Sequence, residues 1–149
     1  MSEPTLPPIG EENAPFWEGA RRGELRVQRC ADTGRLIFPP RLRSPWGGRR
    51  APEWVTVSGR GTIWSFVVPH PPLLPAFEAL APYNVVLVAL DEDATIRLVG
   101  NLVPEPGASI GALDPRSIAI GEPVRVVFER VSDEIHLPRW MRAARGEGR

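Results

Sequence analysis

The 149-residue chain has the size of a single domain, and its 42% hydrophobic and 24% charged residues are typical of folded globular proteins. The single cysteine, Cys30, excludes an internal disulfide and a cysteine-cluster metal site, and the absence of lysine excludes Schiff-base and P-loop-lysine chemistry. The net charge of zero hides a gradient, because residues 17–60 carry ten arginines and four acidic residues, a formal charge of +6. This charge indicates either that an anionic partner docks on the segment or that its arginines are scattered over a solvated face.

No apolar run approaches the roughly 18 residues that a membrane span needs. The opening residues, Met-Ser-Glu-Pro, lack the basic start and the apolar stretch of a signal peptide. We therefore expect a cytoplasmic protein with no membrane partner.

The N-terminal part of the chain predicts a flexible arm followed by a short helix. Residues 1–13 are polar and proline-rich, which is typical of an arm. Asn13 can cap a helix whose apolar side is supplied by Phe16 and Trp17, and Gly23 stands where this helix would end. A helix this short is not stable alone, so it must pack inside the domain or on a partner.

A small hairpin and an irregular loop follow the helix. Residues 25–30 alternate between apolar and polar, residues 31–34 predict a turn, and residues 35–38 predict a second short strand. Residues 39–52 have no apolar periodicity. This loop carries four of the ten arginines of its segment and no acidic residue, with candidate anion contacts at Arg41, Arg43, Arg49 and Arg50.

The remainder of the chain predicts a small β barrel. Strand patterns occupy residues 54–58, 62–68, 85–90, 95–103 and 124–131. Gly59 and Gly61 fall between the first two patterns, which indicates a bent or bulged strand of the kind found at barrel corners. The expected fold class is mainly β, and an OB-type barrel is the natural candidate.

No independent active site can be assembled from the sequence. The two histidines, His70 and His136, lie far apart and in no metal or nucleophile motif. Cys30 has no neighbouring histidine or helix N-terminus to lower its pKa, which indicates an unreactive thiol. A standalone enzyme would need a pair such as His70 and Tyr83 to meet across the loop between them, and a structural tyrosine is the simpler interpretation.

Short segments spread along the chain resemble one family in their order and spacing. They are FWEG (16–19), GEL (23–25), QRCADTG (28–34), FPPR (38–41), SPWGG (44–48), WVTVSGRGTI (54–63), APY (81–83), IGEPV (120–124) and LPR (137–139). Together they resemble the zinc-ribbon and OB-fold acyl-CoA-associated proteins, known as domain of unknown function 35. The resemblance covers about residues 14–140.

The resemblance implies a short N-terminal helix, a rubredoxin-like ribbon and a C-terminal OB-fold barrel. It divides the chain into a flexible arm (1–13), the helix and ribbon (14–52), the barrel (53–138) and a basic tail (139–149). Members of this family serve as small subunits beside thiolase-like enzymes or enoyl-CoA hydratases, and the large partner carries the catalytic residues.

The ribbon departs from the family at its metal site. The family has two C-x-x-C knuckles, whose four positions here hold Cys30, Thr33, Ser44 and Gly47. Three of the four thiolates are missing, and threonine and serine do not replace them as zinc ligands. We therefore expect a metal-free ribbon, held by packing of Phe38, Trp46 and Trp54, and no bound cofactor.

The resulting functional prediction is a non-catalytic small subunit of a CoA-thioester enzyme complex. The expected partner is a thiolase-like aldolase or acyltransferase in steroid or lipid side-chain degradation, with the CoA thioester at the partner interface. In this hypothesis Phe16, Trp17 and Phe38 contact the partner, and the four loop arginines pair with partner carboxylates or CoA phosphates. The alternatives are a partner of a MaoC-like enoyl-CoA hydratase and an OB-fold nucleic-acid-binding protein.

Overall fold

The computed structural model describes residues 5–144 and is built mainly from β-strands. Its elements in chain order are α1 (Ala14–Arg21), β1 (Leu25–Arg29), β2 (Leu36–Ile37), β3 (Glu53–Val57), β4 (Arg60–Val67), α2 (Pro75–Glu78), β5 (Val85–Leu90), β6 (Arg97–Gly100), a 3-10 turn (Pro115–Ser117), β7 (Pro123–Arg130) and β8 (His136–Arg142). Among these residues, no helix has the length and apolar character that crossing a bilayer requires.

The first sheet is a three-stranded antiparallel ribbon in the order β2-β1-β3. Strand β1 pairs with β3 from Leu25 opposite Val57 to Arg29 opposite Glu53. Residues 53–57, at the start of the barrel segment predicted from the sequence, thus pair with strand β1 of the ribbon.

The second sheet has five antiparallel strands in the order β6-β5-β4-β7-β8. It curls until its two edges meet, because the segment after β6 bonds to β8: the Trp140 amide donates to the Asn101 carbonyl (2.9 Å) and the Val103 amide donates to the Trp140 carbonyl (2.8 Å). The mainly β fold class with a short N-terminal helix is therefore confirmed.

A single bent stretch of chain, β3 and β4, runs through both sheets. Gly59 has a positive φ of 76°, and a side chain there would run into Val126. At Gly61 a Cβ would overlap the carbonyl oxygen of Ala89 on the neighbouring strand. The predicted glycine bend is thus confirmed: Gly59 is required by its positive φ, and Gly61 by the close approach of the neighbouring backbone.

One hydrophobic core serves both sheets and the helix. It joins Phe16 and Trp17 of α1 and Val27 of β1 with barrel residues such as Ile63 and Trp140. The short helix is therefore stabilised by packing inside its own chain, as its length requires.

Two details at the ends of the chain differ from the sequence-based expectations. Asn13 stands at the start of α1, but its side chain accepts a hydrogen bond from the Gly10 amide and donates to the Pro8 carbonyl instead of capping the helix. The predicted basic tail began too early, because residues 139–142 belong to β8 and pair with β7. Residues 1–4 of the predicted arm and 145–149 of the predicted tail lie outside the described residues.

Candidate functional site

The two knuckles of the ribbon converge on the thiol of Cys30. This side chain is 1% exposed directly after β1, and the hydroxyls of Ser44 and Thr33 lie beside its sulfur. Three of the four positions that hold zinc in the family therefore meet in space, as a thiol and two hydroxyls, while Gly47 supplies no side chain. Within residues 5–144 no group of three His, Cys, Asp or Glu side chains could hold a metal. The residues present do not fit a tetrahedral thiolate zinc site.

The thiol of Cys30 has an altered acidity. Hydrogen bonds from the hydroxyls of Ser44 and then Thr33 stabilise the thiolate and lower the pKa to about 7, although burial acts in the opposite direction. The sequence analysis looked only for a histidine or a helix N-terminus near Cys30. It missed the donors because they come from the two knuckle turns, and the family's ligand spacing is the signal that would have found them.

The lowered pKa of Cys30 predicts a pH dependence of stability. Between pH 7 and 9 the native thiol is ionised while the unfolded thiol, with a pKa near 9.0, still holds its proton. The unfolded state then binds more protons, so the free energy of unfolding rises across this window. Urea unfolding from pH 6 to 9.5 should show this rise, and Cys30→Ala should lack it. If the free energy of unfolding changes with pH in the same way in both proteins, the prediction is wrong.

Ionic and backbone contacts also join the two knuckles. The guanidinium of Arg50 donates to the Asp32 carboxylate (3.0 Å) and to the Ala31 carbonyl (2.7 Å). The same carboxylate packs so closely on Gly48, whose φ is +93°, that no side chain could be placed there. These contacts hold the second knuckle against the first without a metal.

Of the three aromatic residues expected to hold the ribbon, two pack on the core. Phe38 and Trp54 lie partly buried against it, whereas Trp46 is 48% exposed. The guanidinium of Arg35 stacks over the Trp46 ring at 4.2 Å. Trp46 is therefore a surface residue of the loop rather than part of the ribbon's packing.

The arginine loop, residues 39–52, is fixed at its start by Gln28. The side-chain amide of Gln28, which is 3% exposed, donates to the Arg41 carbonyl (2.8 Å) and accepts from the Arg41 amide (2.7 Å). These two hydrogen bonds attach the backbone of the loop to β1, although the loop forms no strand that could pair with β1. Sequence reasoning missed Gln28, because a polar residue on an alternating strand normally faces solvent.

The structure divides the four candidate arginines between two clefts. Arg41 lines a cleft of about 540 Å³ together with Arg35, Phe38, Trp46 and Asp93. The other three arginines line a polar cleft of about 430 Å³, which we call the arginine cleft, at Arg43, Arg49 and Arg50. The first cleft lies between ribbon and barrel, because Asp93 belongs to the connection between β5 and β6, whereas the arginine cleft is lined by loop residues alone. The arginine cleft therefore lies outside the barrel that would bind a nucleic acid in an OB-fold.

Phe16 and Trp17, the expected partner contacts on α1, pack inside the chain. They are 7% and 8% exposed, and their rings meet edge to face with centroids 4.9 Å apart. Rings that are already covered have little surface left for a partner, so the structure favours a packing role for both. Phe38 packs on Phe16 at 6.1 Å and is only partly buried. Partner contact at these three positions stays a prediction.

The side chains considered for independent catalysis do not form a site. Tyr83 is buried and packs on Phe77 at 5.9 Å, while His70 lines an apolar cleft with Phe66 and Pro82. His136 lies on β8 opposite Arg130. Nucleophile, base and orienting group are therefore not assembled among these residues.

Fold and site together define a class: a small ribbon-and-barrel protein whose ribbon keeps the knuckle geometry without the metal ligands. Residues 17–43 match the family description "ChsH2, rubredoxin-like zinc ribbon domain", and residues 54–129 match "ChsH2, C-terminal OB-fold domain". The chain belongs to this family, whose members include scaffold proteins with the DUF35 domain. The predicted ribbon and OB-fold barrel are thereby confirmed.

Several relatives are similar over most of the chain. It is 38% identical over 135 residues to the 3-oxo-4,17-pregnadiene-20-carboxyl-CoA hydratase alpha subunit of Mycobacterium tuberculosis, covering 90% of this chain and 37% of that protein. It is 37% identical over 132 residues to a probable enoyl-CoA hydratase alpha subunit of Thermomonospora curvata, covering 89% and 38%. The chain thus spans well under half the length of these two proteins.

Two further relatives match over most of their own length. A DUF35 domain-containing scaffold protein of Methanothermobacter thermautotrophicus is 33% identical over 115 residues, covering 76% of this chain and 78% of that protein. Among solved structures, a chain of the Ltp2-ChsH2(DUF35) aldolase superposes with a TM-score of 0.77 and 36% identity. That match covers 93% of this chain and 100% of the other.

Proposed function

We propose that this protein is a non-catalytic small subunit of a CoA-thioester enzyme complex, with a thiolase-like aldolase or acyltransferase as its partner. The observation that carries the proposal is the match, over 93% of this chain and all of the other, to a component of the Ltp2-ChsH2(DUF35) aldolase. A reaction in steroid or lipid side-chain degradation is the corresponding role. A cytoplasmic location stays the prediction made from the sequence.

The structure supports a subunit role in two ways. The buried side chains of Gln28 and Asn84 both bind backbone groups of their own chain, so these two polar groups serve the fold. The arginine loop, by contrast, offers fixed basic groups on the surface. This combination suits a protein that positions a partner or its substrate rather than one that reacts with it.

A second candidate is a subunit of an enoyl-CoA hydratase complex. It is favoured by the two relatives named as hydratase alpha subunits, with identities of 38% and 37%. Both candidates place this chain beside an enzyme that acts on a CoA thioester, and they differ in the fold of the large subunit.

Co-purification distinguishes the two candidates. The tagged full chain is co-expressed with untagged thiolase-like and hydratase-like proteins of the same organism, and the eluate is sized by light scattering. We expect a defined hetero-oligomer with the thiolase-like protein and far less than one zinc ion per small subunit by elemental analysis. Elution of this chain alone would overturn the proposed function, retention of the hydratase-like protein alone would select the second candidate, and stoichiometric zinc would disprove the metal-free ribbon.

A further inference from the structure

The arginine cleft gathers basic groups whose charges are poorly compensated within the chain. Outside the cleft, some arginines, such as Arg29, Arg139 and Arg142, pair with a carboxylate at 2.9–3.2 Å. Others, such as Arg21 and Arg60, form no ion pair in the described part of the chain but do not line this cleft. In the arginine cleft, Arg50 pairs with Asp32, while Arg43 and Arg49 form no ion pair within residues 5–144. Three guanidinium groups therefore face one cleft with a single carboxylate beside them.

The cleft is fixed before any ligand arrives. Its loop is held at one end by the two bonds between Gln28 and the Arg41 backbone, and at the other by the contacts of Asp32 with Gly48 and Arg50. Because the backbone that carries Arg43 and Arg49 is tied on both sides, binding needs to order only their side chains. Such preorganisation reduces the entropic cost of binding an anion.

The shape of the site indicates a small anion rather than a protein surface. Its volume of about 430 Å³ lies within the roughly 300–1,000 Å³ range of small-molecule sites. Apart from Leu42, its other lining residues are small, namely Ser44, Gly48 and Ala51, so a ligand can approach the backbone closely. Guanidinium groups match phosphate oxygens in a bidentate fashion, and several on one site suit a ligand with more than one phosphate.

We propose that the arginine cleft binds the phosphate groups at the nucleotide end of CoA, an assignment that rests on the proposed function for the identity of the ligand. Arg43 and Arg49 supply charge-assisted hydrogen bonds to the phosphates, and Arg50, oriented by Asp32, shapes the side of the cleft. The pantetheine arm and the thioester extend away from this chain. The small subunit therefore holds the end of the substrate that does not react.

Calorimetric titration of the isolated full chain tests this proposal with CoA, dephospho-CoA and pantetheine as probes. We expect CoA to bind, dephospho-CoA to bind more weakly and pantetheine not to bind. The double variant Arg43→Gln/Arg49→Gln should weaken CoA binding by about 10- to 100-fold, the effect of losing one or two charge-assisted hydrogen bonds. The control, Arg21→Gln/Arg60→Gln, removes the same charge from two other arginines without an ion pair in the described residues and should bind CoA like the parent protein.

Each contrary result overturns the proposal in an identifiable way. The substituted loop side chains are exposed, and matching thermal melts of the variants and the parent would establish that folding is unaffected. No CoA binding, equal weakening by the two double variants, or pantetheine binding as tight as CoA would each disprove a phosphate site. Loss of the partner in co-purification with unchanged CoA affinity would instead assign Arg43 and Arg49 to partner carboxylates. Because the titration needs no partner, its failure is distinguishable from failure of the proposed function.

Discussion

Replacing Trp140 by alanine is expected to lower the free energy of unfolding by about 3–5 kcal/mol, the usual cost of removing a buried tryptophan from a packed core. Trp140 lies on β8, is 0% exposed, and is the largest fully buried side chain in the described chain. Its backbone also makes the two hydrogen bonds that bring the edges of the barrel together. Urea unfolding followed by far-UV circular dichroism measures the effect.

The matched control for this prediction is Trp140→Phe. The indole Nε1 of Trp140 is buried with no hydrogen-bond partner in the described residues, so phenylalanine removes an unsatisfied donor while keeping most of the ring volume. We expect a much smaller loss than with alanine. If both variants unfold like the parent protein, residues 139–142 do not form the last barrel strand and the basic tail predicted from the sequence starts where it was first placed.

Asn84→Ala is expected to destabilise the protein by about 2–4 kcal/mol, because it leaves both a buried N–H and a buried C=O without partners. The Asn84 side chain, 0% exposed, donates to the Leu102 carbonyl (2.9 Å) and accepts from the Leu102 amide (2.7 Å). It thereby ties the start of β5 to the segment that closes the barrel. Chemical denaturation measures the loss, and hydrogen exchange at the Leu102 amide should become faster.

Asn13→Ala supplies the comparison for Asn84. Asn13 also makes two side-chain hydrogen bonds with the backbone, but they lie in an exposed turn where water can replace them. We expect this change to cost well under about 1 kcal/mol. Equal losses from the two substitutions would mean that burial of the Asn84 amide is not the source of its effect.

The elements that could be predicted from the sequence are those with a strong local signal. The uninterrupted apolar run at 85–90 coincides with the observed β5 (Val85–Leu90), because a strand buried in the core needs no polar alternation. The bend at Gly59 was also predictable, since two abutting strand patterns separated by glycine have few other arrangements. The family match then supplied the order of helix, ribbon and barrel.

The parts that could not be predicted depend on distant partners. Strand β8 carries Arg139 and Arg142 and looks like a basic tail, but they pair with Glu129 on the neighbouring strand β7 and with Glu122 just before it. Gln28 and Asn84 look like ordinary polar positions, because their backbone partners lie 13 and 18 residues away. The grouping of Arg43, Arg49 and Arg50 apart from Arg41 likewise follows from loop geometry that no local pattern encodes.

The shared core of the helix, ribbon and barrel has a consequence for how a metal site can disappear during evolution. An isolated zinc ribbon folds only with its metal, so the first lost thiolate unfolds it. Here Val27 on the ribbon and Ile63 in the barrel belong to one hydrophobic cluster, and β3 continues directly into β4. We therefore expect the ribbon to unfold together with the barrel, so that replacing a zinc ligand here costs a fraction of the stability that it would cost in a free-standing ribbon. We expect the folded fraction of such a protein to be independent of the zinc supply of the cell.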